Sequence, residues 1–122
     1  MIKYKTVVTF IGKNVDEMMK NNLLILFDNN APEELKTFCI LHSKSELEKE
    51  VKVHDRLLID NQVYTITAVG DVANKNLKDL GHVVLNFNGS TNPELPGYIH
   101  LAPCLMNKIK AGTKLEIIEE DL

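Results

Sequence analysis

Apolar and polar residues alternate along much of this 122-residue chain, and glycine, proline and asparagine break the pattern at short intervals. Tyr4, Thr6, Val8 and Phe10 alternate with Lys5, Val7 and Thr9, the period-two spacing of a strand, which Gly12 ends. Asn14 can cap a helical turn through Asp16, Glu17, Met18 and Met19, with the acids at the positive end of the helix dipole. Leu23 to Phe27 is a continuous apolar run between asparagine clusters and predicts a buried strand, with Asp28-Asn29-Asn30 as a turn. Pro32 at a first helical position, before Glu33, Glu34 and Leu35, predicts one or two helical turns. Thr37 to Leu41 is strand-forming. Phe38, Ile40 and His42 would share one face, and Cys39, Leu41 and Ser43 the other. The charged stretch from Lys44 to Lys52 predicts an exposed connection. Arg56 to Ile59 and Val63 to Val69, joined by Asp60-Asn61-Gln62, predict a hairpin.

Helical spacing enters clearly from Asp71 to Leu80. Ala73, Leu77 and Leu80 form one stripe, Asp71 can cap the start, and Gly81 stands where a left-handed C-terminal residue is wanted. His82 to Phe87, Tyr98 to Leu101 and Thr113 to Ile118 return to strand character, separated by the turn-forming Asn88 to Pro93, Pro96-Gly97, Pro103 and Ala111-Gly112. The expected fold is mainly β, a small barrel or sandwich of short strands in a single domain spanning 1–122, with one substantial helix and one or two short helical turns.

Composition narrows the function classes. The chain is 44% hydrophobic and 25% charged, with net charge -3, so the basic face that nucleic-acid binding needs is missing. No apolar run approaches the roughly 18 residues of a membrane helix. The first residues, Met1-Ile2-Lys3-Tyr4-Lys5, carry no apolar signal segment, which points to a cytoplasmic chain. Cys39 and Cys104 lie in apolar stretches without a CxxC spacing and read as buried thiols rather than a disulfide.

Glycine loops for phosphate, the GxSxG elbow and the HExxH helix are all missing. Four histidines remain. His54 sits among Lys52, Asp55 and Arg56 and reads as a surface residue. His42, His82 and His100 each flank an apolar strand, where an imidazole is costly unless its nitrogens are satisfied. Their spacings are far longer than those of paired zinc ligands, so no metal or other cofactor is expected. Nucleophilic chemistry asks for less: one open, unprotonated ring nitrogen, with the other held by an acceptor that fixes the tautomer. His42 suits that role, standing where an apolar strand gives way to Ser43-Lys44-Ser45-Glu46. Lys44 and the Ser43 hydroxyl can help neutralise a phosphate, or serve only as solvated loop residues. A His42 ring sealed in the interior, with neither nitrogen open, would remove this reading.

The chain resembles the glucitol/sorbitol-specific enzyme IIA component of the bacterial phosphotransferase system. The resemblance is carried by Ala31-Pro32-Glu33-Glu34-Leu35, Phe38-Cys39-Ile40-Leu41-His42, Glu46-Leu47, Tyr64 to Gly70, Val72-Ala73, Asn76 to Val83 and Pro96 to His100, in that order. It implies a mostly β barrel-like fold and a cytoplasmic phosphocarrier. Such a carrier takes a phosphoryl group from the general histidine-containing phosphocarrier protein. It passes the group to the IIB component of a permease whose IIB/IIC components take up and phosphorylate the hexitol. The family's acceptor falls on His42. Members carry a second histidine two residues on, where this chain has Lys44, followed by Ser45 in place of glycine.

A carrier must release what it accepts, so His42 is expected in a shallow exposed depression. An apolar rim drawn from Phe38, Ile40 or Leu41 would suit weak docking over less than about 1,200 Å². His82 and His100 are expected either to approach His42 as supporting imidazoles or, for His82, to close the preceding helix. Three readings compete: a phosphocarrier; a non-catalytic β-barrel binding or regulatory module derived from one, which Lys44 favours; and a metal enzyme using His42, His82 and His100. Unpaired edges of short strands also make a homodimer plausible.

Overall fold

The computed structural model describes residues 1–103 and 108–120. Eight strands are described: β1 (Ile2–Ile11), β2 (Leu23–Asp28), β3 (Cys39–His42), β4 (Arg56–Ile59), β5 (Gln62–Val69), β6 (Val83–Asn86), β7 (Tyr98–Leu101) and β8 (Lys114–Ile118). They close into a barrel in the order β1-β3-β2-β6-β7-β5-β4-β8. The helices are α1 (Val15–Met19), α2 (Glu33–Lys36) and α3 (Ala73–Leu80). The mainly β fold with one substantial helix is therefore the one that the alternation predicted, and of barrel and sandwich it is the barrel, as the resemblance implied. No helix among the described residues is long and apolar enough to cross a membrane.

Two neighbouring pairs, β2 with β3 and β6 with β7, are parallel, and the other pairs run antiparallel. A parallel pair needs a crossover. The 29–38 segment, with α2, supplies one and the 87–97 segment the other. Inward residues fill the barrel, among them Tyr4, Val8, Leu26, Ile40, Ile66, Leu85, Ile99 and Leu115. Helix α3 adds Ala73 and Leu77 to the same core. Phe27, Ala31, Cys39 and Leu41 make a second apolar cluster on the outside of β2 and β3. Strand β3 is thus covered on both faces. Ile40 and Leu41 are core, and only Phe38 of the expected apolar rim is exposed. Cys39 is a free, buried thiol whose pKa burial pushes up. Cys104 lies outside the described residues.

All three helix starts depart from the sequence expectation. Pro32 precedes α2 with extended backbone instead of opening it. Asp71 does not cap α3; Val72 precedes its first residue and makes no side-chain cap bond. Backbone carbonyls do that work instead, with Val72 N–H donating to Pro96 O at 3.0 Å and Ala73 N–H to Gly70 O at 3.1 Å. Asn14 holds the capping position of α1, but its side chain makes no cap bond.

The irregular chain after β3 is clamped to α3. Asn74 Oδ1 accepts from Val51 N–H at 2.7 Å and Asn74 Nδ2 donates to Val51 O at 3.0 Å. This amide replaces a strand neighbour for a buried residue. Asn74→Ala is expected to cost about 1–3 kcal/mol, the cost of leaving buried backbone groups unpaired. Urea denaturation measures it, and an unchanged midpoint would mean that water takes over both bonds.

Candidate functional site

His42 is the last residue of β3, and alternation turns its ring to the same side as Ile40, into the mouth of the barrel. It is 0% exposed. Nε2 lies 2.8 Å from Gly81 O and Nδ1 lies 3.0 Å from Ser43 O. An uncharged imidazole has one N–H, so it can donate to only one of these carbonyls. The expectation of an exposed ring with an open nitrogen is therefore corrected: the ring is sealed and both nitrogens face backbone carbonyls, the arrangement that counts against an acceptor role, so His42 can take that role only where its cover opens. Alternation places a side chain on a face, but the cover comes from the segment beyond the strand. Thr6 Oγ1 donates to Ser43 O, and Ser43 N–H donates to Val7 O at 3.2 Å. That cover is thin, because Ser43 and Lys44 are themselves exposed.

Three residues that the sequence did not assign to the site complete the mouth. Tyr4 meets the His42 ring edge-on, with centroids 5.9 Å apart. Asp28 is opposite His42 in the β2–β3 register and is buried, its Oδ1 accepting from Asn30 N–H at 2.8 Å. Gly81, left-handed at φ 60°, ends α3 and turns its carbonyl to His42. Among the described residues, Tyr4 Oη is the buried side-chain polar atom with no hydrogen-bond partner. Burial pushes the Tyr4 pKa up to about 12; the nearby Ser45 backbone pulls it down and the Asp28 carboxylate raises it further. The phenol thus keeps its proton and stands as an unused donor beside His42. Its signal in the sequence was only its inward place in the β1 alternation.

Neither other strand-flanking histidine hydrogen-bonds His42; the bonds each ring makes go elsewhere. His82 leads into β6 on the outer side of the barrel, with Val83 facing in. It is half-buried and stacks on Phe27, centroids 4.4 Å apart and planes 22° from parallel. Its Nδ1–H donates to Leu26 O at 2.8 Å. The alternative, that it closes the helix, holds for its backbone, whose N–H donates to Asn76 O at 3.2 Å. His100 is sealed: Nδ1–H donates to Asn88 Oδ1 at 2.9 Å, and Nε2 accepts from Glu94 N–H at 3.1 Å. Burial holds its pKa below the ordinary value, with the Glu94 carboxylate pulling the other way. It pins the 87–97 connection. Lys44 is exposed, and its Nζ reaches Asp79 O at 3.4 Å, on the last turn of α3 rather than at His42. His54 is exposed with φ 79°. Among the described residues no three His, Cys, Asp or Glu side chains gather around a common metal position.

Comparison with known proteins agrees with this architecture. The family model for the glucitol/sorbitol-specific IIA component of the phosphotransferase system matches residues 3–116. Glucitol/sorbitol-specific EIIA components from Shigella flexneri and Escherichia coli K12 are each 34% identical over 119 residues, covering 96% of this chain and 97% of theirs. The crystal structure of a phosphotransferase-system IIA component from Enterococcus faecalis V583 superposes with a TM-score of 0.84 at 30% identity, covering 94% of this chain and 99% of that one. The chain therefore belongs to the glucitol/sorbitol-specific IIA component family of the phosphotransferase system, whose members are phosphohistidine-carrying phosphotransferase components.

Proposed function

We propose that this chain accepts a phosphoryl group from the general histidine-containing phosphocarrier protein and delivers it to the IIB component of a glucitol/sorbitol permease, in the cytoplasm, with His42 as acceptor. Family membership over residues 3–116 is the observation that supports the role. The two bonds of the His42 ring suggest how a closed ring becomes a nucleophile. The Nδ1 bond goes to the carbonyl of the adjacent residue, Ser43, and moves with it. The Nε2 bond reaches across to Gly81. Parting the 43–45 segment from the Gly81 edge takes Nε2 off the Gly81 carbonyl; the ring's single N–H then sits on Nδ1 toward Ser43 O, which fixes the reactive tautomer and leaves the Nε2 lone pair open.

The Nε2 lone pair then forms the new N–P bond as the P–N bond to the donor's imidazole breaks, and the leaving ring keeps that electron pair. The positive charge left on the His42 ring strengthens its Nδ1–H bond to the carbonyl. Tyr4 Oη is the spare donor in the same mouth for a phosphoryl oxygen. A single neutral donor, rather than a cluster of cations, suits a group that must leave again.

Incubation with phosphoenolpyruvate and the general carriers is expected to add an acid-labile, base-stable phosphoryl to the peptide containing residue 42. His42→Gln, whose amide nitrogen can still donate to Gly81 O, is expected to lose the label on that peptide and to stop delivery to the IIB component. Absence of any label in the wild-type protein would overturn the carrier reading. It would leave the non-catalytic module, which the lysine at position 44 favours.

A further inference from the structure

His82 offers what His42 withholds in the closed protein. Its Nδ1 faces the Leu26 carbonyl at 2.8 Å, and a carbonyl can only accept, so in the uncharged ring the proton sits on Nδ1 and the lone pair on Nε2. Nε2 has no hydrogen-bond partner among the described residues. The ring is half-buried and lies flat on Phe27, which is itself only 8% exposed and packed in the outer cluster. Its orientation is thus set by a stack on one side and a backbone bond at one end, while the nucleophilic end is unengaged. No other imidazole here combines these properties. His100 has both nitrogens occupied, His42 has both facing carbonyls, and the exposed ring of His54 makes no hydrogen bond that would fix its tautomer.

We propose that His82 Nε2 is a second phosphoryl-accepting nitrogen of this chain, available to a phosphohistidine donor protein while the His42 ring remains closed. The inference rests on the phosphocarrier reading and adds a site to it. The Nε2 lone pair forms an N–P bond as the donor's P–N bond breaks, and the donor's imidazole leaves with the electron pair. No proton needs to move on His82. Nδ1–H stays on Leu26 O, and the positive charge now on the ring makes that bond charge-assisted. Leu80, two residues before His82 in the chain, is 45% exposed at the end of α3. Lys44, held at the Asp79 carbonyl, places a cation on the same end of α3.

The test compares wild-type protein, His82→Asn and His42→Gln, each phosphorylated from labelled phosphoenolpyruvate through the general carriers, quenched in base and mapped by peptide. Asparagine retains an N–H that can reach Leu26 O but lacks the Nε2 position. Near-native circular dichroism and thermal midpoint confirm that the variants fold. The expected result is label at residue 82 in the wild type and in His42→Gln, with the initial rate on the residue-82 peptide at least tenfold lower in His82→Asn, which keeps its label at residue 42. Label confined to residue 42, gained by His82→Asn at the wild-type rate, overturns this inference and leaves the carrier reading intact. No label on the wild type from a competent donor overturns both.

Discussion

Asp55→Ala is expected to lower the stability of the fold by about 3–5 kcal/mol, the cost of leaving a buried partner charge uncompensated. Lys3 Nζ lies 2.6 Å from Asp55 Oδ2, and the two side chains are 1% and 4% exposed. The same ammonium donates to Glu50 O at 2.8 Å. The carboxylate also accepts from Lys52 N–H at 2.8 Å and from Glu120 N–H at 3.3 Å. One ion pair thus ties β1 to the 50–55 turn and to the chain leaving β8. Removing the carboxylate strands a buried ammonium and frees two backbone amides at once. The double variant Lys3→Met, Asp55→Leu tests the cause. Replacing a whole buried pair by apolar groups of similar volume is often neutral or better, so it is expected to be more stable than Asp55→Ala alone. Chemical denaturation of the single and double variants measures this. Strictly additive losses would show that packing, not the orphaned charge, carries the effect.

Lys3 also marks where the sequence stopped being legible. The alternation of Tyr4, Thr6 and Val8 identified β1, and the other strands were readable because most of their inward positions are apolar. Tyr98–Leu101 appears with the same bounds, and Gly81 ends α3 in the left-handed conformation that its position required. Lys3 and Tyr4, however, are both buried, at a point where the β1–β8 register shifts between Ile2 and Tyr4. Period-two reasoning gives a lysine before Tyr4 to solvent, because it cannot foresee a carboxylate 52 residues away. His42 was misplaced for a related reason. Its face was correctly read with Ile40, yet the polar residues after it suggested an open rim. They instead fold back as the cover, through Thr6, Ser43 and Val7. The outward side of His82 was equally hidden. Its neighbours in sequence are helix and strand, while its ring partners, Leu26 and Phe27, lie on β2. Local pattern reached the elements; long-range contacts decided which imidazole nitrogen is engaged.

Gly81 joins helix, barrel mouth and both histidines, so substitution there separates two physical effects. At φ 60° an alanine carries left-handed strain, and its Cβ would meet His42 Cε1 at 2.9 Å and Asp28 Cβ at 3.0 Å. Strain of this kind costs about 1–3 kcal/mol. Asparagine tolerates the left-handed region far better than alanine, but it brings the same Cβ. If strain alone mattered, Gly81→Asn would recover most of the stability lost in Gly81→Ala. The contact with His42 predicts otherwise: both variants lose stability, and both push the imidazole off the Gly81 carbonyl. The expected outcome is a lowered denaturation midpoint in each, with changed nitrogen chemical shifts for the His42 ring. Phosphoryl uptake at residue 42 should then be faster, because Nε2 no longer has to break a backbone contact before it attacks. Full rescue by asparagine with unchanged His42 signals would show that the ring is not held by Gly81, and that the closed state is set by the Ser43 segment alone.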